Sequence, residues 1–69
     1  MRVKHYVKDD GAYIYLRDVK EGGVARTEHV FGEGIDLDFD HEGHLVGIGV
    51  DRAASKVLPA ELLASAERV

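Results

Sequence analysis

The sequence predicts an α+β fold, a small antiparallel β-meander of about five strands with a C-terminal α-helix packed on one face. Three observations predict it. Short alternating apolar runs recur between residues 3 and 50, the period of half-buried strands. Acidic turns containing glycine separate them, at Asp9-Asp10-Gly11 and Asp40-His41-Glu42-Gly43. Beyond Pro59 the apolar spacing changes to threes and fours, the period of a helix.

The first strand is Val3 to Val7, β-branched and aromatic, closed by Lys8-Asp9-Asp10-Gly11. The second, Ala12 to Leu16, puts Ile14 and Leu16 on one face and Tyr13 and Tyr15 on the other. The Asp10-Gly11 step predicts a hairpin, with glycine taking the positive φ. Arg17 to Gly23 is polar and glycine-closed, hence a loop. Val24 to Val30 is a third, more exposed strand, carrying Arg26, Thr27, Glu28 and His29. Phe31 to Gly34 turns the chain into a second hairpin, whose arms are strands four and five.

Register decides where the aspartates of that hairpin point. A four-residue loop over Asp40 to Gly43 sets Phe39 opposite His44, Leu37 opposite Val46 and Ile35 opposite Ile48. It buries these apolar residues together and leaves Asp36 opposite Gly47 and Asp38 opposite Leu45. A bulge at Gly43 after a tight turn instead pairs Asp40 with His44. A one-residue slip turns every side chain over, so burial favours the first register.

After Val50, Asp51 to Lys56 forms a helical turn. Pro59 suits the first turn of a helix, and Leu58, Leu62, Leu63, Ala66 and Val69 make an apolar stripe. The expected helix spans about residues 59–68. It is too short to stand alone and must pack on the sheet. Residues 1–69 are expected to form a single domain.

Composition excludes several classes. Thirteen acidic against nine basic residues give a net charge of −4, so binding to nucleic acid has no electrostatic support. No stretch approaches membrane-spanning length, and no apolar segment follows Met1 to His5. The expectation is a cytoplasmic protein that binds no nucleic acid and no membrane. With no cysteine among 69 residues, neither a disulfide nor a Cys-ligated zinc can staple the small core. Self-association is the common remaining solution, and a homodimer is expected.

Asp10-Gly11-Ala12-Tyr13-Ile14-Tyr15-Leu16, then Asp38 to Ile48, then Ala54-Ser55, resemble the small bacterial domain of unknown function family 2283. That family's pattern is an Asp-x-x-Tyr-Ile-x-Leu strand followed by an Asp-x-Asp-x-x-Gly-x-x-x-Gly-Ile-Glu hairpin. The likeness covers residues 6 to 55. Val7 departs from it where aspartate is usual, the first turn is one residue shorter, and Gly49 replaces a glutamate. The resemblance brings no catalytic residues. It implies a compact bacterial domain, with an antitoxin-like role for relatives that partner other small proteins.

The candidate sites are weighed on their residues. Asp36, Asp38 and Asp40 suggest calcium, but from Asp36 the sixth and twelfth loop positions are His41 and Gly47, where an EF-hand needs glycine and a carboxylate. The calcium reading fails, and strand alternation explains the spacing. Asp36, Asp38, His41 and His44 remain the candidate ligand or metal residues, with Asp40 or Glu42 as companions. Gly47 and Gly49 offer a backbone groove. His5 reads as a histidine at a core or interface margin. Ser55 has no recognisable base and no glycine loop opens the helix, so no catalytic residue and no cofactor are expected. Tyr6, Tyr13 and Tyr15 form an outer aromatic row suited to an interface, since tyrosine joins apolar area to a polar tip. The leading expectation is a non-enzymatic interaction module, acting as a homodimer or as partner of another small protein. The alternative is a metal- or small-ligand-binding protein, or a minor enzyme, using the acidic and histidine hairpin.

Overall fold

A computed structural model describes residues 1–30 and 34–69. Its elements are β1 (Arg2–Tyr6), β2 (Gly11–Tyr15), β3 (Arg26–Val30), β4 (Ile35–Phe39), β5 (Leu45–Val50), α1 (Ala54–Val57), α2 (Ala60–Ala64) and β6 (Glu67–Arg68). The strands form one sheet in the order β3-β4-β5-β2-β1-β6. Every pairing is antiparallel except that of β6, which runs parallel to β1. The α+β class is as the sequence predicts. The strand order differs from a simple meander at one join, because β2 pairs with β5 and the chain crosses to β3 at the far edge. Apolarity explains the difference. Ala12 and Ile14 of β2 sit opposite Val50 and Ile48 of β5, which centres the greasiest strands, while polar Arg26–Val30 becomes a charged edge.

The β1–β2 hairpin closes with Tyr6 opposite Gly11. The positive φ falls on Asp10 (56°), not on Gly11 as expected. Aspartate tolerates the left-handed region because its short side chain bonds locally. Gly11 is an extended strand residue whose N–H donates to Asp9 Oδ1 at 3.2 Å.

The β4–β5 hairpin follows the Asp40–His44 register at its turn and neither expected register beyond it. At the turn, Asp40 N–H donates to His44 O at 2.9 Å, Gly43 adopts φ 85°, and Phe39 faces Leu45. A bulge then shifts the pairing, so that Asp38 faces Gly47, Leu37 faces Ile48, Asp36 faces Gly49 and Ile35 faces Val50. Phe39 therefore does not face His44, nor Asp36 Gly47, as the favoured register has it. The extra residue on β5 restores the two-residue periodicity of the faces, so apolar still meets apolar and aspartate meets glycine. The turn expected at Phe31 to Gly34 lies outside the described residues except for Gly34, whose carbonyl accepts the Asp51 N–H at 2.9 Å.

The helix expected over about residues 59–68 is shorter, Ala60–Ala64, and the separate helical turn expected over 51–56 falls at Ala54–Val57. Pro59 (φ −57°, ψ 141°) separates α1 from α2 as an extended residue. Beyond Ala64 the chain abandons the helix to pair with β1. Val7 N–H donates to Val69 O and Val69 N–H to His5 O, at 3.2 and 2.8 Å. An otherwise open edge of β1 explains the trade, since its unpaired backbone groups find partners there.

The buried core is Val3, Ala12, Ile14, Val46, Val50 and Ala54. Leu58 and Leu63 pack against Ala12, Val50 and Ala54. The helices thus lie over the β1–β2–β5 part of one sheet face. Ile35, Leu37, Phe39 and Ile48, expected to be buried, are only half-buried. The accessible surface is 4870 Å² for 7.6 kDa, against about 4,300 Å² for a typical monomer of that mass. The molecule leaves an unusual amount of surface unburied.

Candidate functional site

The sheet face opposite the helices is built in two cross-strand rows. One runs Lys4, Tyr13, Gly49, Asp36, His29, and the other runs Arg2, Tyr15, Gly47, Asp38, Thr27. Strand alternation sends these side chains to the same face, because each is two residues from its fellow. All three candidate tyrosines gather there. Tyr13 and Tyr15 meet edge to face with ring centroids 4.7 Å apart, the offset geometry that aromatic quadrupoles favour.

Gly47 and Gly49 do form a strip without side chains, and it houses the chain's own Tyr13 ring. A Cβ at Gly47 would stand 1.9 Å from the Tyr13 Oη and 2.5 Å from Cζ. At Gly49 it would find 3.6 Å to Tyr13 Cδ1, an ordinary contact. The missing Cβ lets the ring lie on the sheet, where its hydroxyl donates to Asp38 Oδ2. Asp38 Oδ1 accepts the Thr27 hydroxyl at 2.6 Å. Two neutral donors thus hold the Asp38 carboxylate. Burial, followed by the bond to Asp38, pushes the Tyr13 hydroxyl far above its ordinary pKa. Burial and the neighbouring Tyr15 push Tyr6 up as well.

Tyr6, Tyr13, Tyr15, Val19, Val24 and Asp38 line a groove of about 460 Å³, with Asp9 and Asp51 at its far end. Three carboxylates and three tyrosines meet in it, and among the described residues its lining contains no lysine or arginine. Cations stand just outside. The Arg2 guanidinium lies 4.5 Å and the Lys4 ammonium 5.8 Å from the Tyr15 ring centroid, within cation–π range.

The candidate ligand residues are split between two places. Asp36 and Asp38 belong to the tyrosine face, Asp36 bonded to His29 Nδ1. His41 and His44 belong to the β4–β5 turn. His41 Nε2 donates to Gly22 O at 2.9 Å, tying the turn to the 17–25 loop. His44 joins Asp40 and Glu42, whose ligand atoms lie within 4.8 Å of one another. Asp40 is already occupied there. Its Oδ1 accepts the Glu42 and His44 N–H groups, both at 2.9 Å, and Arg17 stands 3.5 Å from Oδ2. The backbone bonds hold its carboxyl below the usual range, with His44 and Arg17 adding to the effect. This arrangement caps a hairpin turn.

A second polar cluster had no counterpart in the sequence reading. Asp10 Oδ2 accepts the Ser55 hydroxyl at 2.6 Å, and Asp10 Oδ1 lies 2.9 Å from His5 Nε2. The residue types are those of a hydrolytic triad, but the order is wrong. Here the carboxylate stands between serine and histidine, whereas nucleophilic catalysis needs histidine in the middle to take the serine proton. Asp10 instead accepts the Ser55 N–H at the start of α1 and anchors that helix to the β1–β2 turn. The Ser55 bond, then the His5 bond, lower its pKa.

Reasoning from sequence also missed Arg2 and Lys4 beside Tyr15, and Val19 and Val24 in the groove. The first pair was recoverable, because the β1–β2 register alone sets Arg2 opposite Tyr15 and Lys4 opposite Tyr13. The second pair depends on the path of the crossing loop, which no local pattern encodes. No helix among the described residues is long and apolar enough to cross a membrane. A family model described as Protein of unknown function (DUF2283) matches residues 2–53. No curated protein and no solved structure matches the chain.

Proposed function

The chain belongs to the DUF2283 family of proteins of unknown function, and on that footing we propose that it is a small non-enzymatic interaction module of the bacterial cytoplasm. Its binding surface is the tyrosine face. The carrying observation is the groove of about 460 Å³ lined by Tyr6, Tyr13, Tyr15 and Asp38 on the face the helices leave open. Tyrosine and arginine beside a desolvated centre are the residues that dominate binding energy at interfaces. The groove is pre-formed, since glycines and hydroxyl donors fix Tyr13 and Asp38, and a pre-formed surface loses less entropy on binding. The partner is a second copy or another small protein, in the antitoxin-like manner the family resemblance suggests.

The test immobilises the wild-type chain and the Tyr15→Glu variant and scores what each retains, whether its own chain or a small protein from the source cell. Tyr15 sits at a strand surface, so the variant should keep its fold by circular dichroism and lose retention. A variant that binds as well as the wild type contradicts the proposal.

A second reading, a divalent cation at Asp40, Glu42 and His44, is favoured by their mutual proximity of 4.8 Å. The bonds already made by Asp40 count against it.

A further inference from the structure

Resting on the interaction reading above, we infer that the occupant of the tyrosine face is a second copy of this chain, packed face to face about a two-fold axis parallel to the strands. The inference comes from the order of residues in the two rows. Across β1, β2, β5 and β4, one row reads Lys4, Tyr13, Gly49, Asp36 and the other reads Arg2, Tyr15, Gly47, Asp38. Each row is cation, aromatic, glycine, anion.

An axis running along the strands between β2 and β5 reverses the strand order while leaving position along the strand unchanged. It therefore lays each row on its own reverse. Lys4 comes over the partner's Asp36, and Arg2 over the partner's Asp38. Tyrosines come over the partner's glycine strip, on which the partner's Tyr13 ring lies. Such self-complementarity is what an isologous interface requires, where each contact occurs twice. A random row has no reason to be its own complement.

Three further observations agree. Among the described residues the groove collects three carboxylates without a lysine or arginine in its lining, and in this packing the partner's Arg2 supplies the missing cation. Asp38 is held, among the described residues, by hydroxyls alone, so its negative charge is still available to that guanidinium. Glycines at 47 and 49 keep Tyr13 low, as a second sheet at about 10 Å requires.

The test is a charge exchange. In Lys4→Glu the dimer would oppose two carboxylates at both of its symmetry-related contacts between positions 4 and 36. In Asp36→Lys it would oppose two ammonium groups at the same two contacts. Each variant alone should be monomeric at concentrations where the wild type is a dimer. In an equimolar mixture of the two single variants both 4/36 contacts of the heterodimer are again of opposite sign, so the mixture should dimerise, and so should the double variant, Lys4→Glu with Asp36→Lys. Thermal unfolding and circular dichroism check that all three variants fold.

A wild-type experiment needs no variant. Lys4 and Asp36 are three strand spacings apart in one chain, about 14 Å, too far for a zero-length carbodiimide cross-link. Mixed heavy- and light-isotope wild-type chains should give a Lys4–Asp36 cross-link that pairs the two labels. A wild type that stays monomeric overturns the inference while the retention of another protein, lost in Tyr15→Glu, would still uphold the interaction reading. A dimer indifferent to both charge reversals, as one built on half-buried Leu37 and Ile48 would be, also overturns it.

Discussion

Replacing Gly47 by alanine adds one methyl group, and the structure says where it must go. The new Cβ would lie 1.9 Å from the Tyr13 Oη, 2.5 Å from Cζ and 2.8 Å from Cε2, so the ring cannot stay. Moving it breaks the hydroxyl's bond to Asp38. A hydrogen bond to a charged group contributes about 1.5–3 kcal/mol, and forcing extra volume against packed atoms costs about 1–3 kcal/mol. Alanine recovers about 0.5–1 kcal/mol, because glycine in a strand is entropically costly. The midpoints of these ranges give a net loss of about 3.5 kcal/mol, which for a chain of this size is roughly 14–28 °C in Tm at about 4–8 °C per kcal/mol.

Gly49→Ala provides the control, since its Cβ would meet nothing nearer than 3.6 Å. That variant should be neutral or slightly stabilising. In a Tyr13→Ala background Gly47→Ala should likewise lose its penalty, giving a coupling energy of most of the single-variant loss in a double-mutant cycle. Urea unfolding followed by circular dichroism measures all the chains. Equal stability of Gly47→Ala and Gly49→Ala would refute the idea that the glycine strip exists to house Tyr13.

Other outcomes follow from the same geometry. Asp10→Asn keeps a residue that tolerates φ 56° but removes the charge facing Ser55 and His5, so its Tm should fall below the wild type at pH 7. Because the folded state lowers this carboxyl below 3.8, its stabilisation is present above that value and lost as pH falls through the lowered one, and the two melting curves should converge in acid. Tyr13 and Tyr6 are raised above 10.0, so their contribution is complete below pH 10 and declines as pH climbs above it. Spectrophotometric titration should show Tyr13 ionising only with alkaline unfolding, and Tyr13→Phe should remove that late step. Isothermal titration of zinc or nickel should give no saturable heat that Asp40→Asn abolishes, since Asp40 is committed to the turn backbone. Saturable heat lost in that variant would favour the cation reading.

Much of this was legible in local pattern. Alternation of Ile35, Leu37 and Phe39 with Asp36 and Asp38 placed the aspartates on the glycine side, and that held although the register itself moved. The bulge between Leu45 and Gly47 was not legible, because one extra residue leaves the apolar alternation of each arm unchanged. The glycines signalled close approach, but the approaching group was Tyr13, distant in sequence and adjacent only because β2 pairs with β5. Strand order of this kind depends on which strands bury most, a property of the assembled sheet. The helical stripe running to Val69 was real as far as Leu63. It then gave way to pairing along β1, where the open edge outweighed helix propensity. The His5, Asp10 and Ser55 cluster joins residues up to 50 positions apart, and only the packing of α1 against the first turn assembles it.

On the reading proposed above, the tyrosine face is a surface built to be covered. Multi-angle light scattering on the wild-type chain and on Tyr15→Glu, from low to high micromolar concentration, is the decisive experiment. The wild type should approach twice the 7.6 kDa chain mass, and Tyr15→Glu should stay at the single-chain mass with its fold intact. A wild type that holds the single-chain mass throughout, or a Tyr15→Glu variant that dimerises equally well, would overturn the inference that a second copy covers this face.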